Sequence, residues 1–295
     1  MTVALVETGS FAEAVVHADR ALALYDPVEH RPLATRFVND PRVTALHWRS
    51  QALWALGYPE AALAGREQAL SEAREAGRAG SLMWTLALTS LTQLISGNHT
   101  AAQAQSNELI GLAEEIGSVF WKTDGMLRRA GVLALTGKAS DAVGIFTAAI
   151  PVWRSIGSTV FLPVWLSLLA RAYGELGQFD EAWSHIGEAI TEVETTKETW
   201  YEPEVHHIAG EIALMSPERD AAKAEACFER ALAVARAQRA KSWELRASMS
   251  MARLWRDQGK RDEARELLAP VYDWFTEGLD TLDLKQAKAL LDELA

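Results

Sequence analysis

Glu204 and His207 stand three residues apart, His206 adjoins them, and Glu211 follows four residues after His207. On a helix this spacing sets a carboxylate, an imidazole and a second carboxylate on one face. Glu-x-x-His is the unit with which helical bundles hold paired iron ions. Such a centre needs a second Glu-x-x-His and two more carboxylates, and this chain has only one such unit. No metal site is expected from that ligand count. Cys227 is the only cysteine, so no intramolecular disulfide can form. It adjoins Phe228 and reads as a buried, inert thiol, since no His or Asp motif supports a nucleophile. A phosphate-binding GxxxxGK[ST] loop is absent from the sequence. With no acid–base pair, nucleophile constellation or phosphate loop, the chain reads as a non-enzyme without a cofactor.

The formal charge of −11 disfavours nucleic acid, whose binders carry a basic footprint. The most basic stretch, Arg253 to Arg265, is interleaved with Asp257, Asp262 and Glu263 and reads as a solvated helix face. The N-terminal MTVALVETGS has no basic region of the signal-peptide kind. The most apolar stretch, Val160 to Ala170, is too short to span a bilayer and contains Pro163. With a single cysteine, these features lead to the expectation of a cytoplasmic protein without a membrane partner.

What must position these residues is a repeat. A Gly is followed five residues later by an Ala at Gly9/Ala14, Gly57/Ala62, Gly97/Ala102, Gly137/Ala142, Gly177/Ala182 and Gly259/Ala264, and Ala224 marks a seventh copy without the Gly. The Ala-to-Ala steps are 48, 40, 40, 40, 42 and 40 residues. Seven residues past each Ala another apolar residue recurs, from Ala21 to Val271. A fixed period in this range means stacked supersecondary units that cover one another's apolar faces. The clearest copy, Leu168 to Ile190, reads as a helix ending at Gly177, a short polar turn, and a helix opened by Asp180 and Glu181. No alternating Val/Ile/Thr run argues for a sheet.

Leu169, Ala170, Tyr173, Gly177, Phe179, Ala182, Ile186 and Ala189 resemble the tetratricopeptide-repeat consensus, although that repeat is about 34 residues long. The stretch from Ala224 to Leu294 resembles the C-terminal end of a family of bacterial signalling proteins. These join a nucleotide-cyclase or DNA-binding head to an AAA-type ATPase and a long helical-repeat tail. Tyr25 to Val43 is similar to a linker in that tail. The resemblance covers the tail alone, so it implies neither nucleotide hydrolysis nor cyclase chemistry. It implies an interaction or regulatory module, part of or partner to such a signalling protein, with a protein or peptide as partner. The alternative is a domain that senses a small molecule or peptide in its groove.

The expected fold is therefore all-α. It is a tetratricopeptide-like helical-repeat solenoid (an α-α superhelix) over residues 1–295, with about seven helix pairs, the first partial, and a capping helix over 280–295. The step of 48 places an irregular connection or short extra helix between Asp26 and Pro41, and Ser216-Pro217 replaces the missing Gly of the sixth repeat. Few residues precede Gly9, which suggests a longer parent protein, or a homo-oligomer formed through the uncovered N-terminal end. In such solenoids the first helix of each pair lines the inner wall. Counting back from the Ala anchors gives Trp84, Asp124, Arg171, Glu204, His207, Glu211, Arg246 and Arg253 as the residues of a partner or ligand groove. Trp84, Trp121, Trp200 and Trp243 recur near the starts of first helices, and this periodicity favours packing over an aromatic ligand lining.

Overall fold

The turn chemistry sets the architecture. In the turn after the first helix of repeat five, Gly177 adopts φ +74°, a region that costs a residue with a Cβ. The Gly177 amide donates to the Gly174 carbonyl at 3.0 Å, and the Gln178 amide reaches back to Tyr173 at 2.9 Å. These bonds satisfy the last carbonyls of the helix and reverse the chain. Left-handed glycines also stand at Gly77, Gly117 and Gly157, halfway between the anchors, so that a glycine closes a helix every twenty residues from Gly77 to Gly177. The sixth repeat lacks the anchor glycine, and Arg219 takes the left-handed conformation there, at φ 41°.

The computed structural model describes residues 1–34 and 39–295. Within them lie sixteen α-helices and no strand. The first pair is α1 (Thr2–Glu7) and α2 (Phe11–Ala23). A short α3 (Pro27–His30) and a 3-10 turn (Arg31–Leu33) occupy part of the irregular connection, and its residues 35–38 lie outside the described residues. Six longer pairs follow: α4 (Pro41–Leu56) with α5 (Pro59–Glu75), α6 (Ala79–Ile95) with α7 (His99–Glu115), and α8 (Val119–Leu135) with α9 (Ala139–Ser155). The last three are α10 (Leu162–Glu175) with α11 (Phe179–Thr196), α12 (Glu202–Met215) with α13 (Ala221–Ala237), and α14 (Lys241–Asp257) with α15 (Arg261–Tyr272). The capping helix is α16 (Leu282–Glu293). From α6 to α9 every helix has 17 residues and every link three, so the length beyond 34 residues resides in the helices.

The anchors sit where packing requires small residues. Ala14, Ala62, Ala102, Ala142, Ala182, Ala224 and Ala264 are all buried, as are Ala69, Leu109, Ala149, Ala189, Ala231 and Val271 seven residues on. Ala21, in the first pair, is exposed. Leu284, Ala287 and Leu290 of α16 close the last repeat against Leu245, Met249, Leu268 and Val271.

Two compact units are present. One comprises residues 1–6, 10–54 and 60–160, and the other residues 7–9, 55–59 and 161–295. In the first, α6 packs on α8 as well as on its own partner α7. In the second, α10 packs on α12, α12 on α14, and α14 on α16, so successive first helices form a continuous layer.

Candidate functional site

The first-helix layer of the second unit gathers charge. Arg171 projects from α10, and Glu204, His207 and Glu211 lie on one face of α12. Arg246, Ser250 and Arg253 come from α14, and Asp283 from α16. Arg171 donates to Glu211 and lies 3.3 Å from Glu175. His207 Nδ1 stands 3.2 Å from Glu204 Oε2, and its Nε2 is 2.8 Å from Ser250 Oγ and 3.8 Å from Glu211 Oε1. Arg246 donates from Nε to Asp283 at 2.8 Å and from Nη1 to Glu204 at 3.4 Å. The Trp243 ring lies 5.2 Å from the Arg246 guanidinium, and the Phe228 ring 5.9 Å from His207. Arg253 alone among these arginines has no carboxylate within 4 Å among the described residues.

Burial makes this network electrostatically stiff. Burial alone would lower the pKa of His207, but the Glu204 and Glu211 carboxylates more than offset it, and the imidazole is held above its usual 6.5. Burial would raise Glu204, yet His207 and Arg246 pull it well below the carboxylate range. Arg253 is lowered by burial in a position where its cation is only partly compensated. The expected groove residues of this unit are thus brought together, and all except Arg253 pair with one another.

Asp283 and Ser250 complete the network, although the anchor count does not single them out. Asp283 stands 37 residues after Arg246 and Ser250 43 after His207, each three residues off the 40-residue step, so the period does not point to them.

The other two expected groove residues, Trp84 and Asp124, lie in the first unit. Asp124 accepts two hydrogen bonds from Arg128 one turn on, at 2.8 and 2.9 Å, with both side chains only 2% exposed. Both carboxylate oxygens are therefore engaged. The Trp84 ring packs edge-on against His47 at 5.8 Å. His47 is 0% exposed and makes no well-formed hydrogen bond, and neither does the Gln51 amide one turn on, among the described residues. Burial, with Arg128 and Arg66 nearby, drives the His47 pKa down to about 3, so the imidazole is neutral.

Trp200 and Trp243 are buried in a chain of ring contacts, Phe161–Trp200–Tyr201–Trp243, with centroids 5.1 to 6.0 Å apart. Trp121 packs on Phe120 at 4.8 Å. Packing accounts for all three. Cys227 is half-buried, more accessible than its sequence setting suggests, because the neighbouring Phe228 takes the core position. Burial pushes its thiol pKa up, which disfavours the reactive thiolate.

No described helix is long and apolar enough to cross a membrane. No protein-family model matches the chain, and no curated protein does. Among solved structures, the apo form of RapI superposes with a TM-score of 0.57 at 12% identity, over 96% of this chain and 92% of that one. At that identity the likeness concerns the fold, and it agrees with a helical-repeat architecture along the chain.

Proposed function

We propose that this chain is a protein-interaction module that holds a protein or peptide segment on the first-helix layer of its second unit. In this reading it is part of, or partner to, a bacterial signalling ATPase or nucleotide cyclase. The observation that carries the proposal is Arg253. It is a part-buried guanidinium without a carboxylate within 4 Å among the described residues, in a layer whose other arginines, Arg171 and Arg246, are ion-paired. A guanidinium recognises carboxylates through paired donors, so the partner segment presents an Asp, a Glu or a chain terminus to it. The net negative charge argues against nucleic acid as that partner. Homo-oligomerisation through the N-terminal end remains part of the proposal, and native mass spectrometry reads it directly.

The test is capture of a partner by the intact chain, followed by Arg253→Glu against the captured protein. Arg253→Glu is preferable to reversing Arg246, which would set a buried carboxylate against Glu204 and Asp283. The expected result is weaker binding with a shallower salt dependence. Unchanged affinity and salt dependence would place the binding surface elsewhere.

A second reading, small-molecule or peptide sensing, draws support from His47 and Gln51. Buried polar groups ordinarily make well-formed hydrogen bonds, and among the described residues these two make none, lying near one another without hydrogen-bond alignment. A small molecule retained by the purified chain, and lost with His47→Phe, would favour it.

A further inference from the structure

Six large apolar side chains stand exposed along one edge of the first unit. Ile116 follows α7, Val119 and Phe120 open α8, Val152 lies in the last turn of α9, and Ile156 and Val160 follow α9. Each is between 36 and 60% exposed. Helix α8 packs on both α7 and α9, which brings these helix ends side by side. The floor of the patch is fixed. Phe120 rests on the buried Trp153 ring at 4.9 Å, and Trp153 Nε1 donates to the Val160 carbonyl at 3.1 Å. Helix α9 continues the uncharged surface, since no charged residue lies between Asp141 and Arg154. The corresponding helices of the second unit expose charge instead, Asp180, Glu181 and Glu194 on α11 and Lys223, Glu229 and Arg230 on α13. Single apolar residues on a surface need no explanation, but a contiguous patch does.

We propose that this edge pairs with the same edge of a second copy of the chain, about a two-fold axis, to form a homodimer. The surface lies wholly within residues 116–160. It shares nothing with the Arg253 layer or the N-terminal end, and it does not rest on the binding role proposed above. Area is the first argument for a second copy. At on the order of 150–200 Å² for a fully free large side chain, the six leave roughly 500 Å² of apolar surface. A standard interface takes about 800 Å² from each copy, about two thirds of it apolar in homodimers, which is the same amount.

Charge is the second argument. A formal charge of −11 opposes self-association over most of the surface, whereas this edge can meet itself without repulsion. Lys122 and Glu114, beside the patch, neutralise one another at 2.8 Å. The exposed Glu115 ends α7 on one side of α8, and the exposed Arg154 lies near the end of α9 on the other. A two-fold axis makes each contact reciprocal, so the acidic margin of one copy meets the basic margin of its partner.

The experiment is sedimentation equilibrium of the full chain from about 1 to about 100 μM, with a dimer expected to form within that range. Val152→Glu with Ile156→Glu would set four carboxylates into the pairing. It should weaken association at least about a hundredfold while leaving the far-UV circular dichroism spectrum unchanged. A photo-crosslinking amino acid at Ile156 should join two copies, and one at Glu229 should not. That measurement decides the matter if the charged variant misfolds. A wild-type chain that stays monomeric throughout overturns the proposal and leaves a different protein as the occupant of the patch. A dimer that survives in a folded double variant, or that crosslinks from position 229 as readily as from 156, also overturns it and moves the interface elsewhere.

Discussion

Glu198 offers a sharp test of how burial acts in this fold. It lies in the link between α11 and α12, and is 8% exposed. Its carboxylate accepts from the Phe161 amide at 3.1 and 3.2 Å and from Trp200 Nε1 at 2.9 Å. Desolvation nevertheless dominates, with the Glu7 and Glu192 carboxylates adding to it, and the pKa is raised from 4.5 to about 7. The sign is the reverse of a salt-bridged carboxylate. Folding favours the protonated form, so stability is full below pH 4.5 and falls as pH rises through about 7. At about 1.4 kcal/mol per pKa unit, ionised Glu198 costs about 3 kcal/mol above that range. Glu198→Gln mimics the neutral carboxyl and keeps a carbonyl acceptor for Trp200 and Phe161. Urea unfolding, read by tryptophan fluorescence at pH 4.5, 6, 7 and 8.5, should show the variant matching wild type at the lowest pH. The variant should lead increasingly toward pH 8.5, by up to about 3 kcal/mol. A variant less stable than wild type by the same amount at every pH would refute the reasoning. It would show that the hydrogen bonds to the carboxylate outweigh its desolvation.

The remaining expectations concern packing and buried charge. Asp124→Ala should cost about 3–5 kcal/mol in urea unfolding by removing the carboxylate that accepts two hydrogen bonds from the buried Arg128 guanidinium, whereas Asp124→Leu with Arg128→Met should cost much less. Gly210→Ala should destabilise by about 1–3 kcal/mol despite the better helix propensity of alanine, because a methyl group there would clash with the buried Phe228 ring. Ala182→Leu or Ala189→Leu should lower the thermal midpoint, through an overpacking cost of about 1–3 kcal/mol. Melts indistinguishable from wild type would contradict the register of the anchors.

The repeat was legible because its determinants are local. A left-handed glycine, an acidic first turn and a small residue at the contact are all written within a dozen residues, as from Gly177 to Ala189. The capping helix was legible for the same reason, through the stripe Leu284, Ala287, Leu290 and Leu291. The pairing of the charged side chains was less so, because it depends on how helices rotate against one another. Arg171 and Glu211 are one 40-residue period apart, and that pair can be anticipated from spacing. His207 with Ser250 and Arg246 with Asp283 fall off the period by a few residues and cannot. Glu198 carries no sequence signal at all. Its burial follows from the left-handed turn at Lys197 and from the neighbouring Trp200, and is set by tertiary packing alone.

The central claim is that the first-helix layer around Arg253 receives a protein partner. A photo-crosslinking amino acid placed at Arg253, and in a second preparation at Glu229 on the exposed face of α13, tests it most directly against the captured partner. Crosslinks from position 253, suppressed by high salt, with none from position 229, are the predicted result. Crosslinks from 229 without any from 253 would contradict the account.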